Sequence, residues 1–214
     1  MLAFTDLQDA FDAALANGDG IDEIWVAGGT YYPTYRMDEN PDYGETEPND
    51  RAVVFAPWGN VEVYGGFTGD ETQRDQRDID ANPTIISGDL NGDDLPNWQN
   101  REDNAYTLFM LCLGTWPCGD DYSSDFGLFG PFLIDGFIME GAYFIEPTGS
   151  VPCWRKTGGA VMKAAAQWGG TEYHRVTMRN CIVQDNFCRH DYSNYASEGI
   201  LWFDISYPIT LEHV

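Results

Sequence analysis

The stretch RVTMRNCIVQDN, Arg175 to Asn186, decides how the fold is read. Val176 and Met178 alternate with polar neighbours, so they share one face of a strand. The chain then bends at Asn180, and Cys181 and Val183 return apolar side chains to the same side. A strand that bends at a small polar residue and continues is the form expected of one turn of a stacked sheet. In such a stack Asn180 can bond the backbone of the neighbouring turn, so a buried polar side chain is satisfied.

The same grammar recurs along the chain. DEIWVAGGTYY places Ile24 and Val26 on one face, and VEVYGGF does so with Val61 and Val63. PTIISGDL, AYTLFMLCL, FLIDGFIMEGAYF, GGAVMKA, GILWFDI and ITLEHV follow, each a run of β-formers closed or bent at Gly, Asn or Asp. The most regular recur at about 20–30 residues, the range of stacked repeats. Asn-Gly hairpin signals are scarce, which places an antiparallel β-sandwich behind a solenoid of parallel strands.

Before the strands, TDLQDAFDAALANGDG predicts a helix over residues 5–18, with Thr5 and Gln8 at capping-box spacing and Gly18 as its stop. Leu7, Phe11, Ala14 and Leu15 form its apolar stripe. A stack of strands exposes its interior at the end, and this helix suits that end as a cap. The expectation is one all-β domain over 1–214: a capping helix, coils over 22–214, and two acidic insert loops at 33–51 and 91–104. Loops of that length either bind something or are plain solvated insertions.

Charge bounds the partners. The chain carries 35 acids against 11 bases, a formal net of −24. Such a surface repels nucleic acid and anionic membrane and attracts cations. A solvated acidic surface, calcium binding and a cationic partner are the readings in play. No run approaches the length of a membrane-spanning helix. Calcium has a candidate in DLNGDD, where Asp89, Asn91, Asp93 and Asp94 gather oxygen ligands around a glycine, against the reading of an ordinary acidic turn. Met37 to Asp42 is a weaker one.

Five cysteines are present. Cys112 and Cys118 flank one short loop and Cys181 and Cys188 another, so two disulfides are conceivable. Cys181 as a small buried apolar residue stands equally well. The stretch GGFTGDETQRDQRD, Gly65 to Asp78, reads as a tight turn at a corner followed by a polar clasp. Gly65 and Gly66 let the backbone turn where a Cβ would clash. Arg74 and Arg77 pair with carboxylates, Glu71 and Asp78 being the sequence-local candidates. A ligand site is the competing reading.

Among seven tryptophans, Trp25, Trp98 and Trp116 are candidates for stacking on sugar rings, Trp25 pointing outward from its strand and the others lying in polar loops. The alternative for each is packing beneath a loop. His174, His190 and His213 lie at no metal-ligand spacing, and no Ser/His/Asp signature occurs.

The residues TDLQDAFDAALANGDGIDEIWVAGGTYYPT, then VEVYGGFTGDETQRDQRDIDANPTIISGDLNGDD, LIDGFIMEGA and RNCIVQDN, resemble the N-terminal part of secreted right-handed parallel β-helix proteins. These are pectin-lyase-like repeat proteins of bacterial surfaces, including the polymorphic outer-membrane protein type. The resemblance implies a right-handed solenoid opened by the helix and the IWVAGGTY strand. It also implies a secreted or cell-surface location and a fragment of a longer chain. The implied function is a non-catalytic module for adhesion, structural or glycan contact, with polysaccharide or self-association as partner. A polysaccharide lyase or glycoside hydrolase of the same fold is the alternative, and a self-assembling surface-layer or filament protein another. The hydrolase branch of this fold carries GHG and RIK near paired aspartates, and neither string occurs here. Eleven dispersed bases give no groove for uronate polymers.

Overall fold

A computed structural model describes residues 3–17, 22–36, 50–57, 60–111, 131–145, 161–165, 175–189, 200–204 and 209–214. Its helix, α1 (Leu7–Ala16), starts one residue later than the capping box suggests. Asp6, not Thr5, is the N-cap: its carboxylate accepts the Gln8 amide N–H at 2.7 Å. Gln8 is then spared for a tertiary bond. Its buried side chain donates to the Ala56 carbonyl (3.2 Å) and accepts the Ala56 N–H (2.9 Å). Leu7, Phe11 and Ala14 bury as expected, but Leu15 remains 46% exposed because the buried stripe runs instead through Ala10 and Gln8.

The strands are β1 (Asp22–Ala27), β2 (Gly29–Tyr31), β3 (Tyr35–Arg36), β4 (Val53–Val54), β5 (Val61–Phe67), β6 (Thr84–Ser87), β7 (Phe109–Met110) and β8 (Phe132–Asp135). Then come β9 (Phe137–Glu140), β10 (Tyr143–Ile145), β11 (Met162–Ala165), β12 (Val176–Arg179), β13 (Ile182–Val183), β14 (Phe187–Arg189), β15 (Leu201–Asp204) and β16 (Ile209–Glu212).

They assemble as one sheet in the order β1-β5-β8-β12-β16, a second in the order β13-β9-β6-β2, a third in the order β15-β11-β7, and the pair β10-β14. All of these pairings are parallel. The exception is β3 with β4, antiparallel at the base of the insert expected at 33–51. Residues 37–49 of that insert, with Met37 to Asp42, lie outside the described residues. Parallel pairing is incompatible with a hairpin-built sandwich. Among the described residues the chain visits the sheets in one repeated sequence: β5, β6, β7, then β8, β9, β10, β11, then β12, β13, β14, β15.

Register explains the core. Val61, Phe132, Val176 and Ile209 are successive partners, as are Val63, Ile134, Met178 and Leu211. The first three of each column are buried, and with Phe11, Phe55, Phe109 and Met139 they form one continuous apolar interior. Ile209 and Leu211, on the outermost strand, are 38% and 50% exposed. No helix among the described residues is long and apolar enough to cross a membrane.

Where the first sheet gives way to the second, the backbone enters the left-handed region in one layer after another: Gly66 (φ 94°), Gly136 (86°), Asn180 (49°) and His213 (54°). Glycine and asparagine tolerate this conformation. Gly65 answers a different demand: a Cβ there would lie 2.5 Å from the Gly136 carbonyl oxygen, so the layers close up only over a bare backbone.

Candidate functional site

The clasp that follows Gly65 is built across layers, not along the chain. Arg77 bonds the Asp135 carboxylate at 2.9 Å and donates to the carbonyls of Gly65 (3.1 Å) and Asp135 (3.0 Å). Asp135 is buried and also receives the Asn180 side-chain amide at 2.8 Å, with Arg179 at 3.8 Å. Arg74 reaches Glu23 and stands 3.8 Å from Glu62, its guanidinium over the Tyr64 ring. The pairs expected with Glu71 and Asp78 are therefore replaced. Glu71 accepts the N–H groups of Thr68 (2.7 Å) and Gly69 (2.9 Å), which hold its carboxyl down at about 2. Asp78 accepts the Ala81 N–H at 3.0 Å, and its own N–H goes to the Gly66 carbonyl. Asn180 bends the chain as expected, but its side chain serves Asp135 and not a neighbouring backbone.

The second corner carries the acidic loop. Asp89 folds the loop over its own carboxylate, accepting N–H groups from Gly92 (2.8 Å), Asp93 (3.1 Å) and Asp94 (3.2 Å). One carboxylate oxygen from each of Asp89, Asp93 and Asp103 lies within 4.8 Å of the others, a group that could hold a metal ion. Two of the four ligands expected from sequence are placed otherwise. Asn91 turns its amide nitrogen, not its oxygen, to Asp103 at 2.6 Å. Asp94 pairs with Arg101 at 3.2 Å and accepts from Asn104 at 3.0 Å. Asp103 was not foreseen; the signal was the need for both ends of the loop to meet, which spacing within DLNGDD does not contain. Desolvation first, then the carboxylates of Asp103 and Asp89, raise Asp93 above the usual range. Burial does the same to Asp94, outweighing Asn104 and Arg101. A cation would relieve this repulsion.

The corner is also incompletely bonded. Asp94 Oδ1, Arg101 Nε and Asn104 Oδ1, together with Thr107 Oγ1, are buried without a hydrogen-bond partner among the described residues. Asn97, Trp98 and Asn100 all take φ of 63°, a cluster of left-handed side-chain-bearing residues within one turn.

The aromatic candidates divide. Trp25 does face outward, but it lies flat on Phe67 (centroids 4.9 Å, interplanar 5°) and donates to Glu23 at 3.2 Å. Trp98 is 47% exposed, with the Arg101 guanidinium 4.8 Å from its ring and Phe187 at 5.4 Å. Phe187 and Tyr143 are register partners with rings 5.2 Å apart, so three aromatics run in a row. Trp116 lies outside the described residues.

Cys181 and Cys188 are free thiols, which overturns the disulfide expected between them. Cys181 is buried and donates to the Arg179 carbonyl at 3.1 Å, whereas Cys188 sits in β14 opposite Phe144. Burial pushes the Cys181 thiol up. Cys112 and Cys118 lie outside the described residues, as do His174 and His190.

Glu23 and Glu62 are register partners on adjacent strands. That arrangement provides the residue types of a glycosidase pair. Arg74 sits between them and Tyr64 donates to Glu62 at 2.7 Å, so both serve as ion-pair acceptors. Tyr64, pushed up to about 12 by burial first and then by Glu62, is no base near neutrality. No family model matches the chain, and neither a curated protein nor a solved structure matches it.

Proposed function

We propose that this chain is a section of a right-handed parallel β-helix acting as a non-catalytic module of a secreted or cell-surface protein, with its outer face in contact with glycan. The observation that carries this reading is the repeated visiting order of the sheets, with the strands of the four parallel groups in register from one layer to the next among the described residues. Parallel crossovers of this kind are almost always right-handed. Such a stack presents a long outer surface and keeps an apolar interior, which suits binding a polymer. Arg74, Arg77 and Asp135 at the first corner are engaged in joining layers, which favours a scaffold over a carbohydrate-active enzyme. The test is a panel of neutral and uronate polysaccharides, followed for retention and for new reducing ends or unsaturated products. Retention without turnover is expected, and turnover abolished by Glu23→Gln or Glu62→Gln would reverse the assignment.

For the Asp89, Asp93 and Asp103 group we propose calcium. Three hard carboxylate oxygens on a surface loop suit a large, flexible coordination sphere better than the strict octahedron of magnesium.

A further inference from the structure

We infer that Trp98, Phe187 and Tyr143 form a preorganised stacking platform for an uncharged hexopyranose polymer. This rests on the glycan-contact reading above and gives it a place and a ligand class. Trp98 is half exposed, although tryptophan is usually largely buried. Its loop is nonetheless fixed. Asp89 gathers the N–H groups at one side of the turn, the Leu95 N–H meets the Gln99 carbonyl at 3.1 Å, and the Asn100 side chain donates to the Asp93 carbonyl at 3.0 Å. Arg101 supports the Trp98 ring, itself anchored by Asp94 at 3.2 Å and by the Asp185 carbonyl at 2.8 Å. An exposed ring held this way loses little freedom on binding.

The row continues onto the sheet. Tyr143 and Phe187 occupy matching positions on β10 and β14, half-buried, while their neighbour Phe144 fills the interior. Aromatic faces carry negative quadrupolar charge and attract the weakly positive C–H bonds of a pyranose face. Flanking Trp98 are the side-chain amides of Asn97 and Gln99, exposed and without a protein partner among the described residues. An amide offers both a donor and an acceptor, as paired sugar hydroxyls require. The ligand's charge follows from the formal net of −24, a surplus that one bound calcium leaves almost untouched and that repels uronate or sulfated polymers.

The test is affinity electrophoresis of the 214-residue chain in gels containing a β-glucan, a mannan, chitosan or polygalacturonate, with melting temperatures measured in parallel. Retardation by a neutral polymer is expected to weaken about two- to tenfold in Trp98→Ala, the scale of one aromatic contact. It should be partly kept in Trp98→Phe and unchanged in Trp25→Ala. Equal retardation of wild type and Trp98→Ala overturns the platform while the glycan-contact reading stands. Retardation by chitosan or polygalacturonate alone overturns the ligand class, and retardation by no polymer removes both the platform and the glycan contact. Should Trp98→Ala also lower the melting temperature, the Asn97→Ala/Gln99→Ala pair decides: weakened retardation supports the platform and unchanged retardation overturns it.

Discussion

At the corner after β5, Arg77 meets the buried Asp135 at 2.9 Å, and the surrounding carbonyls and Asn180 complete the set of bonds. At the corner after β6, Arg101 meets Asp94 at 3.2 Å, yet Arg101 Nε, Asp94 Oδ1 and Asn104 Oδ1 have no partner among the described residues. The first corner takes its left-handed backbone from one residue per layer, Gly66, Gly136, Asn180 and His213; the second gathers Asn97, Trp98 and Asn100 there within one turn. Both use an arginine to tie layers together. One is finished as structure, and the other retains strain, crowded carboxylates and an exposed ring. Departures of this kind collect where a protein binds something.

The contrast breaks most readily at Asp135. Asp135→Ala leaves Arg77 without its carboxylate in a buried site and is expected to lower stability by about 3–5 kcal/mol in urea unfolding. A loss below about 1 kcal/mol would make the first corner no more structural than a surface ion pair.

Calcium comes next. At a hundredfold excess over its dissociation constant, an ion bound only by the folded chain stabilises by about 2.7 kcal/mol. Melting temperature should rise on titration with calcium chloride, and the rise should shrink in Asp103→Asn. A flat titration at millimolar calcium, or one that ignores the substitution, removes the ion from the second corner.

Thr107→Val probes the incomplete bonding. Thr107 is fully buried and its hydroxyl is unpartnered. Removing it should be neutral or stabilising by up to about 1 kcal/mol. A clear loss in urea unfolding would mean that the hydroxyl is satisfied after all.

The smallest effects separate the two corners by the sign of their pH dependence. Glu71 is lowered to about 2 in the folded chain, so its contribution is present above the usual carboxylate range and lost as pH falls towards 2. Asp93 is raised, so its contribution is greatest at low pH and lost as pH rises through its folded value. Melting temperatures between about pH 2 and 7 should therefore show Glu71→Gln flattening the acid-side loss seen in wild type. Asp93→Asn should stabilise mainly at neutral pH. Matching profiles for the two variants would erase the distinction.

Periodicity carried the sequence reading a long way. Alternation in VTMRNCIV placed Val176 and Met178 inside, and Asn180 at the bend takes a left-handed φ. It failed where partners are distant in the chain. Arg77 was assigned neighbours one and six residues away, but its carboxylate comes from Asp135 in the next layer. Stacking brings residues of adjacent strands closer than most sequence neighbours, and a single sequence does not record which run lies on which. The N-cap differed for a local reason: Thr5 and Asp6 are both competent, and the tertiary bond of Gln8 to Ala56 selects the latter. Of the metal group, Asp89 and Asp93 were legible, while Asp103 required knowing how the loop closes.

The column formed by Gly136, Asn180 and His213, which follow the register partners Asp135, Arg179 and Glu212, has a consequence for how such a chain can vary. These three layers arrive at that column in phase, so the number of residues in the strand leading to it is fixed, and one residue inserted within such a strand would turn its face inside out. Beyond the corners no such counting applies. Length should drift freely in the connecting segments, and diversity among variants of this architecture should accumulate there as insertions, leaving the ladder itself metrically constant.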